Sequence, residues 1–228
     1  MDGILYGVGV GPGDPELMTL KAVRLIKENN IIALPGERPS ETMAYRIAVA
    51  AVPELADKRL IPVHMPMTQD KEIQRKCHRE SAEMLETLLK EGNNIIFLTL
   101  GDPAIYSTFT YIHQLVQEDG FRTQLISGVP SFCAAAARVN APLAVWNEQI
   151  HIIPAVHNGI ELLPDSGTCV LMKSGSKMKQ IKEIIKKSRR DAVMVENCGM
   201  EEEHVCFHVD DMPDTAGYYS LIIAKDTE

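Results

Sequence analysis

The chain alternates short apolar, β-branched runs bounded by glycine or proline with longer stretches in which apolar residues recur at helical spacing. Residues 4–10 form the first apolar run, and residues 31–34, 60–64, 94–99 and 124–126 repeat it. After the first run, Leu17, Leu20, Val23 and Ile26 keep the helical period, with Asp14 at the N-cap and Pro15 at the first helical position. Further helices are predicted at residues 43–51, 72–91 and 108–118. This alternation is the pattern of βαβ units and a parallel sheet.

Beyond residue 120 the rhythm changes. Strand-like runs at residues 149–153, 168–172, 192–196, 204–209 and 219–224 are interrupted by only two or three helical stretches. The reading is an α/β protein of two domains, residues 1–119 with a parallel sheet and residues 120–228 with a mixed sheet, divided where Asp119-Gly120 breaks the pattern.

Composition narrows the classes. With 228 residues, 45% hydrophobic and 24% charged, the chain can bury a substantial core and is not a disordered one. Its net charge of -8 argues against nonspecific binding to nucleic acid or to an anionic membrane. No apolar run approaches the roughly 18 to 20 residues that cross a bilayer, and Met1-Asp2-Gly3 lacks a basic leader region, so a cytoplasmic protein is expected. Cys77, Cys133, Cys169, Cys198 and Cys206 are odd in number and contain no CxxC pair, which favours reduced thiols over a disulfide framework.

His204, Cys206 and His208 alternate and would share one face of a strand, so a metal-binding protein is one candidate class. No fourth ligand stands at a recognisable spacing, and a strand with a polar outer face explains the same residues.

Gly7, Gly9, Gly11 and Gly13 invite a dinucleotide-binding reading, but G-x-G-x-x-G from Gly7 puts Pro12 at the third glycine, and from Gly9 it puts Asp14 there. The acidic residue about 20 positions on is missing as well, and no P-loop spacing precedes Lys173-Ser174 or Lys187-Ser188. What remains is a pair of strand ends, residues 11–15 and 101–103, that each carry Gly, Asp and Pro. Ligands of open parallel sheets bind outside such carboxyl ends. Glycine lets backbone approach a ligand there, and a carboxylate suits hydroxyls or a cation.

Three motifs then fall in order: Val8-Gly9-Val10-Gly11-Pro12-Gly13-Asp14-Pro15-Glu16-Leu17 with Thr19-Leu20-Lys21-Ala22, Leu100-Gly101-Asp102-Pro103 with Tyr106-Ser107, and Ser127-Gly128-Val129-Pro130-Ser131-Phe132. In order and spacing they resemble the tetrapyrrole (corrin/porphyrin) methylases, S-adenosylmethionine-dependent enzymes of corrin and sirohaem synthesis. Leu5-Tyr6, His64-Met65-Pro66-Met67, Val170-Leu171-Met172-Lys173 and Tyr218-Tyr219-Ser220-Leu221 resemble the branch that methylates C-20 of precorrin-2 or cobalt-factor II. One departure is Pro130, which stands where the family usually has serine or threonine and removes a backbone donor.

The resemblance implies two α/β domains with the cofactor in the cleft between them, a tetrapyrrole substrate and a homodimer. It implies that Pro12, Gly101, Asp102, Ile105, Pro130, Ser131, Met172, Cys198 and Ser220 meet S-adenosylmethionine. Methyl transfer to carbon depends mainly on alignment of the reactants, so no covalent nucleophile is needed. Asp14 is the candidate proton acceptor and Tyr106 its hydrogen-bonding neighbour. Lys21, Arg38 and Arg46 are candidates for the substrate carboxylates. Any cobalt would belong to the substrate, so no protein metal site is implied. A nucleotide-binding module without turnover is the remaining alternative.

Overall fold

The computed structural model describes residues 1–66, 68, 70–155 and 163–227. The chain divides into two compact units, Met1–Pro130 and Ser131–Glu228.

In the first unit the strands are β1 (Ile4–Gly9), β2 (Ile31–Pro35), β3 (Arg59–Val63), β4 (Ile95–Thr99) and β5 (Arg122–Ile126). They form one parallel sheet in the order β3-β2-β4-β1-β5. Helices α1 (Leu20–Glu28), α2 (Met43–Ala51), α3 (Lys71–Lys90) and α4 (Phe109–Glu118) connect them. Side-chain alternation along the strands sorts the core into two layers. Val8, Ile32, Leu34, Ile96 and Leu98 pack with Ala22, Leu25 and Ile26 of α1 and with Ala44, Ile47 and Ala48 of α2. Leu5, Ile31, Ala33, Ile95 and Phe97 pack on the other face with Ala82, Leu85 and Leu89 of α3 and with Phe109, Ile112 and Val116 of α4. A Cβ on Gly7 of β1 would overlap the Phe109 ring, so α4 lies close on the sheet there.

Two sequence expectations shift here. Asp14 does cap a helical turn, with its side chain accepting the Glu16 N–H, but that turn is the short 3-10 segment Pro15–Leu17. The longer helix begins at Leu20, capped by Thr19, whose hydroxyl accepts the Ala22 N–H. Leu20 therefore faces outward, 88% exposed, rather than following the apolar stripe. The second shift concerns the break at Asp119-Gly120, which is the turn between α4 and β5. Because β5 pairs with β1 over residues 122–126, the first compact unit runs on to Pro130.

The second unit holds α5 (Ser131–Arg138), β6 (Ile150–Pro154), β7 (Thr168–Met172), α6 (Met178–Ser188), β8 (Arg190–Glu196), β9 (His204–Cys206) and β10 (Ser220–Asp226). Its sheet has the order β6-β7-β10-β8-β9, parallel between β6 and β7 and antiparallel elsewhere. Met178, Ile181 and Ile185 of α6 pack on Cys169, Leu171, Met194, Cys206 and Ile222.

The three-residue metal-binding face is not formed, although the Cys206 thiol stays 3.8 Å from His204 Nδ1. β9 stops at Cys206, so His208 lies beyond the strand. Cys206 is turned into the core while His204 is exposed, and the Cys206 thiol lies 3.6 Å from the Asp211 carbonyl. Among the described residues no group of three or more His, Cys, Asp or Glu side chains is arranged to hold a metal ion. Nor, among them, is any helix long and apolar enough to cross a membrane.

Candidate active site

The loops after β1, β4 and β5 leave the same edge of the first sheet from three adjacent strands. The helix that follows β1 packs on one face and the helix that follows β4 on the other. Adjacent strands whose connections part in this way leave a crevice at their carboxyl ends, where open α/β sheets take their ligands.

The floor of that crevice is backbone. Gly11 and Gly101 exchange hydrogen bonds, Gly101 N–H to the Gly11 carbonyl at 2.8 Å and Gly11 N–H to the Gly101 carbonyl at 3.3 Å. Both glycines have positive φ, 79° and 68°. A Cβ on Gly128 would overlap the Gly101 carbonyl oxygen and stand 2.9 Å from Gly9. Three motifs far apart in sequence thus touch through their glycines, which is why side chains are missing at these positions.

Asp102 ties the loops together. It is 9% exposed, and its carboxylate accepts the Ala104 N–H at 2.7 Å and the Gly128 N–H at 3.1 Å. Farther along the same loop the Thr99 and Ser107 hydroxyls are 2.8 Å apart, and Ser107 Oγ accepts the Phe109 N–H. Ser107, part of the second motif, thus caps the start of α4 with its hydroxyl. Pro12 is buried, Ile105 and Pro130 are half-buried, and Asp14 is half-buried at the head of its turn. Tyr106 is 47% exposed with φ of 48°. Lys21 and Arg46 are exposed, and Arg38 is paired with Glu41 at 3.2 Å.

In the second unit the structure brings Met172, Cys198 and Ser220 to one end of the sheet. Met172 is opposite Leu221, and Ser220 is opposite Glu196, two residues before Cys198. The Met172 carbonyl accepts the Ala155 N–H at 2.8 Å, and the buried Ser220 hydroxyl donates to the Gly217 carbonyl at 2.8 Å. Ser131 opens α5. Lys173 and Asn197 at this end have φ of 58° and 52°. A left-handed backbone costs a residue with a side chain roughly 1 to 2 kcal/mol, and such strain gathers at working sites.

The profile of the family described as Tetrapyrrole (Corrin/Porphyrin) Methylases matches residues 4–210. The chain belongs to this family. Among its methylase relatives, a probable cobalt-precorrin-2 C(20)-methyltransferase of Methanocaldococcus jannaschii is 33% identical over 88% of this chain and 85% of that protein. The cobalt-precorrin-2 C(20)-methyltransferase of Salmonella typhimurium is 27% identical over 99% of this chain and 97% of its own. The precorrin-2 C(20)-methyltransferase of a Sinorhizobium species is 26% identical over 97% and 94%. In fold, the chain is similar to the uroporphyrin-III C-methyl transferase of Thermus thermophilus solved with S-adenyl homocysteine, with a TM-score of 0.72, 20% identity, and coverage of 98% of this chain and 97% of that one. Within the methylase motifs, Met67 lies outside the described residues.

The loop geometry suits a ligand that lies along backbone. Gly101 is buried, yet at the place where its Cβ would stand the nearest described atom is the Val129 carbonyl oxygen at 4.0 Å. Room beside a buried, left-handed glycine lets a ligand approach the amides and carbonyls of the loop, the polar groups a sulfonium nucleoside needs.

Proposed function

We propose that this methylase transfers a methyl group to C-20 of a precorrin-2-level tetrapyrrole during cobalamin synthesis, with S-adenosylmethionine as donor. The observation that carries the reading is similarity over nearly the whole chain to three C(20)-methyltransferases. The relative at 33% identity bears the cobalt-precorrin-2 name, which favours a cobalt-bearing substrate, such as cobalt-factor II, over metal-free precorrin-2.

S-adenosylmethionine, when bound, supplies a methyl group on a positively charged sulfur. Pro12, Gly101, Asp102, Ile105, Pro130, Ser131, Met172, Cys198 and Ser220 are the residues we propose to hold it. Asp102 acts there through the loops it ties, since both its oxygens already accept backbone N–H groups. Asp14 has one oxygen engaged with the Glu16 N–H and, among the described residues, no partner on the other, which accepts the proton lost from the methylated carbon. Tyr106 offers a hydroxyl from the neighbouring loop. Most of the acceleration comes from holding a nucleophilic meso carbon in line with the donor, which rigid loops accomplish without a covalent intermediate. The protein works as a cytoplasmic homodimer.

The test is a side-by-side methylation assay with cobalt-factor II and precorrin-2 and a carbon-13 methyl donor, with NMR of the product. Label at the C-20 meso carbon is expected. Label at a pyrrole carbon would move the protein to another ring-carbon methylase of corrin or sirohaem synthesis, and binding without turnover would leave only a nucleotide-binding module.

A further inference from the structure

At the end of β7, directly after Met172, the chain turns through Lys173 with φ of 58°. Nothing in the residue type favours this conformation, which suits glycine or asparagine. The turn is held from both sides. Ser174 is fully buried and donates to the Leu171 carbonyl at 2.9 Å. A Cβ on Gly175 would overlap the carbonyl oxygens of Ala216 and Gly217, and the Ala216 N–H donates to the Gly175 carbonyl. Gly217 is fixed in turn by the Glu196 carboxylate and by the Ser220 hydroxyl.

These clasped loops set the Lys173 ammonium 5.7 Å from the centre of the Tyr218 ring. Tyr218 is 54% exposed, and Tyr219 meets it edge-on at 5.3 Å. Among the described residues no carboxylate pairs with the Lys173 ammonium. One exposed cation–π contact returns less than a left-handed backbone costs a lysine, so the fold alone does not account for a lysine here. Lys173 also opens residues 173–190, which hold eight basic residues and one acidic residue in a chain of net charge -8.

We infer that Lys173 and Tyr218 receive the methyl acceptor, the Tyr218 ring lying against the plane of the tetrapyrrole and the Lys173 ammonium pairing with one of its peripheral carboxylates. A flat conjugated macrocycle edged with carboxylates matches an exposed aromatic face beside a cation without an acidic partner. The position is apt because Met172 and Ser220, the expected cofactor residues, flank the pair in sequence. The inference rests on the proposal that the substrate is a polycarboxylate tetrapyrrole.

The test uses K173N, which keeps a residue suited to the left-handed turn, together with Y218A and Y218F. Uroporphyrin III, an octacarboxylate porphyrin, is titrated and followed by its visible absorption, and S-adenosylmethionine is titrated by calorimetry. K173N and Y218A are expected to weaken porphyrin binding by roughly tenfold, and to raise KM for the tetrapyrrole about as much with little change in kcat. Y218F, which keeps the ring, is expected to bind as the wild type does, and cofactor affinity is expected to hold in all three. Unchanged porphyrin affinity in K173N and Y218A overturns the inference. So does a selective loss of cofactor affinity in K173N, which would assign the ammonium to the cofactor carboxylate. Wild-type protein that methylates neither tetrapyrrole would bring down the functional proposal instead, a result the porphyrin titration keeps distinct.

Discussion

The Asp102 carboxylate accepts the backbone N–H of Gly128 at 3.1 Å, joining the loop after β4 to the loop after β5 in the buried floor of the site. Asp102→Ala leaves the N–H groups of Ala104 and Gly128 without this acceptor. A buried donor without a partner costs about 1 to 3 kcal/mol, so the variant is expected to lose about 2 to 4 kcal/mol in urea unfolding and to bind S-adenosylmethionine more weakly. Unchanged stability would show that water replaces the carboxylate, and unchanged affinity in the folded variant would remove Asp102 from the site.

Gly128→Ala tests the backbone junction itself. The added methyl group meets the Gly101 carbonyl and Gly9, neither of which is a side chain that can rotate away. The expected loss is about 3 kcal/mol or more, read from chemical denaturation. Gly120→Ala is the control for a lost glycine: it too has positive φ, 88°, but nothing lies within 4 Å of the added carbon, so it is expected to cost less.

Glu86 on α3 sets a pH dependence. Burial raises its pKa above the usual value of 4.5, and the nearby Asp119 carboxylate raises it further, against Lys90 and Arg79. Among the described residues its Oε1 is buried without a hydrogen-bond partner. The folded state therefore holds this proton more tightly than the unfolded chain, so the stabilisation is complete below about 4.5 and is lost as pH rises through the raised folded value. Glu86→Gln is expected to be more stable than the wild type by about 1 kcal/mol at neutral pH, with the difference shrinking toward pH 4.5. A gap that stays constant with pH would assign the gain to packing. His78 and His113 work in the opposite direction: burial lowers both, so their contribution is present above the usual 6.5 and is lost as pH falls.

Asp14→Asn separates capping from proton transfer. Asparagine keeps an acceptor for the Glu16 N–H, so stability and cofactor affinity are expected to stay close to the wild type. Turnover is expected to fall by roughly tenfold to a hundredfold if the second carboxylate oxygen takes the proton. Full activity would leave the residue as a cap alone.

Much of the first unit could be read from sequence because strands buried on both faces appear as unbroken apolar runs, as Ile95–Thr99 does. β5 was harder, since Arg122, Gln124 and Leu125 are exposed at the sheet edge and only Ile126 is fully buried. Helix α5 left little trace because, apart from Phe132, its buried residues Ala134, Ala135 and Ala136 are too small to draw an apolar stripe. The glycine loops were legible as motifs, but a sequence does not tell which backbone each glycine touches, so the mutual packing of Gly9, Gly101 and Gly128 emerged only in three dimensions. Cys206 misled for a related reason: alternation predicts a common face only while the strand continues, and this one ends there. Lys173 gave no conformational signal, because lysine is not a residue from which a left-handed turn is expected.

The missing side chain at Gly7 acts as a spacer gauge. Because the Phe109 ring occupies the place of that Cβ, the first turn of α4 settles onto β1 at a separation that any larger residue would widen. The segment from Gly101 to Ser107 is strung between the end of β4 and that same first turn, pinned at one end by Gly11 and at the other by Thr99 and Phe109. Lifting the helix would pull the far anchor of the segment outward while its near anchor stayed fixed. The depth of this loop is thus set from β1, far upstream in sequence, by an atom the protein leaves out.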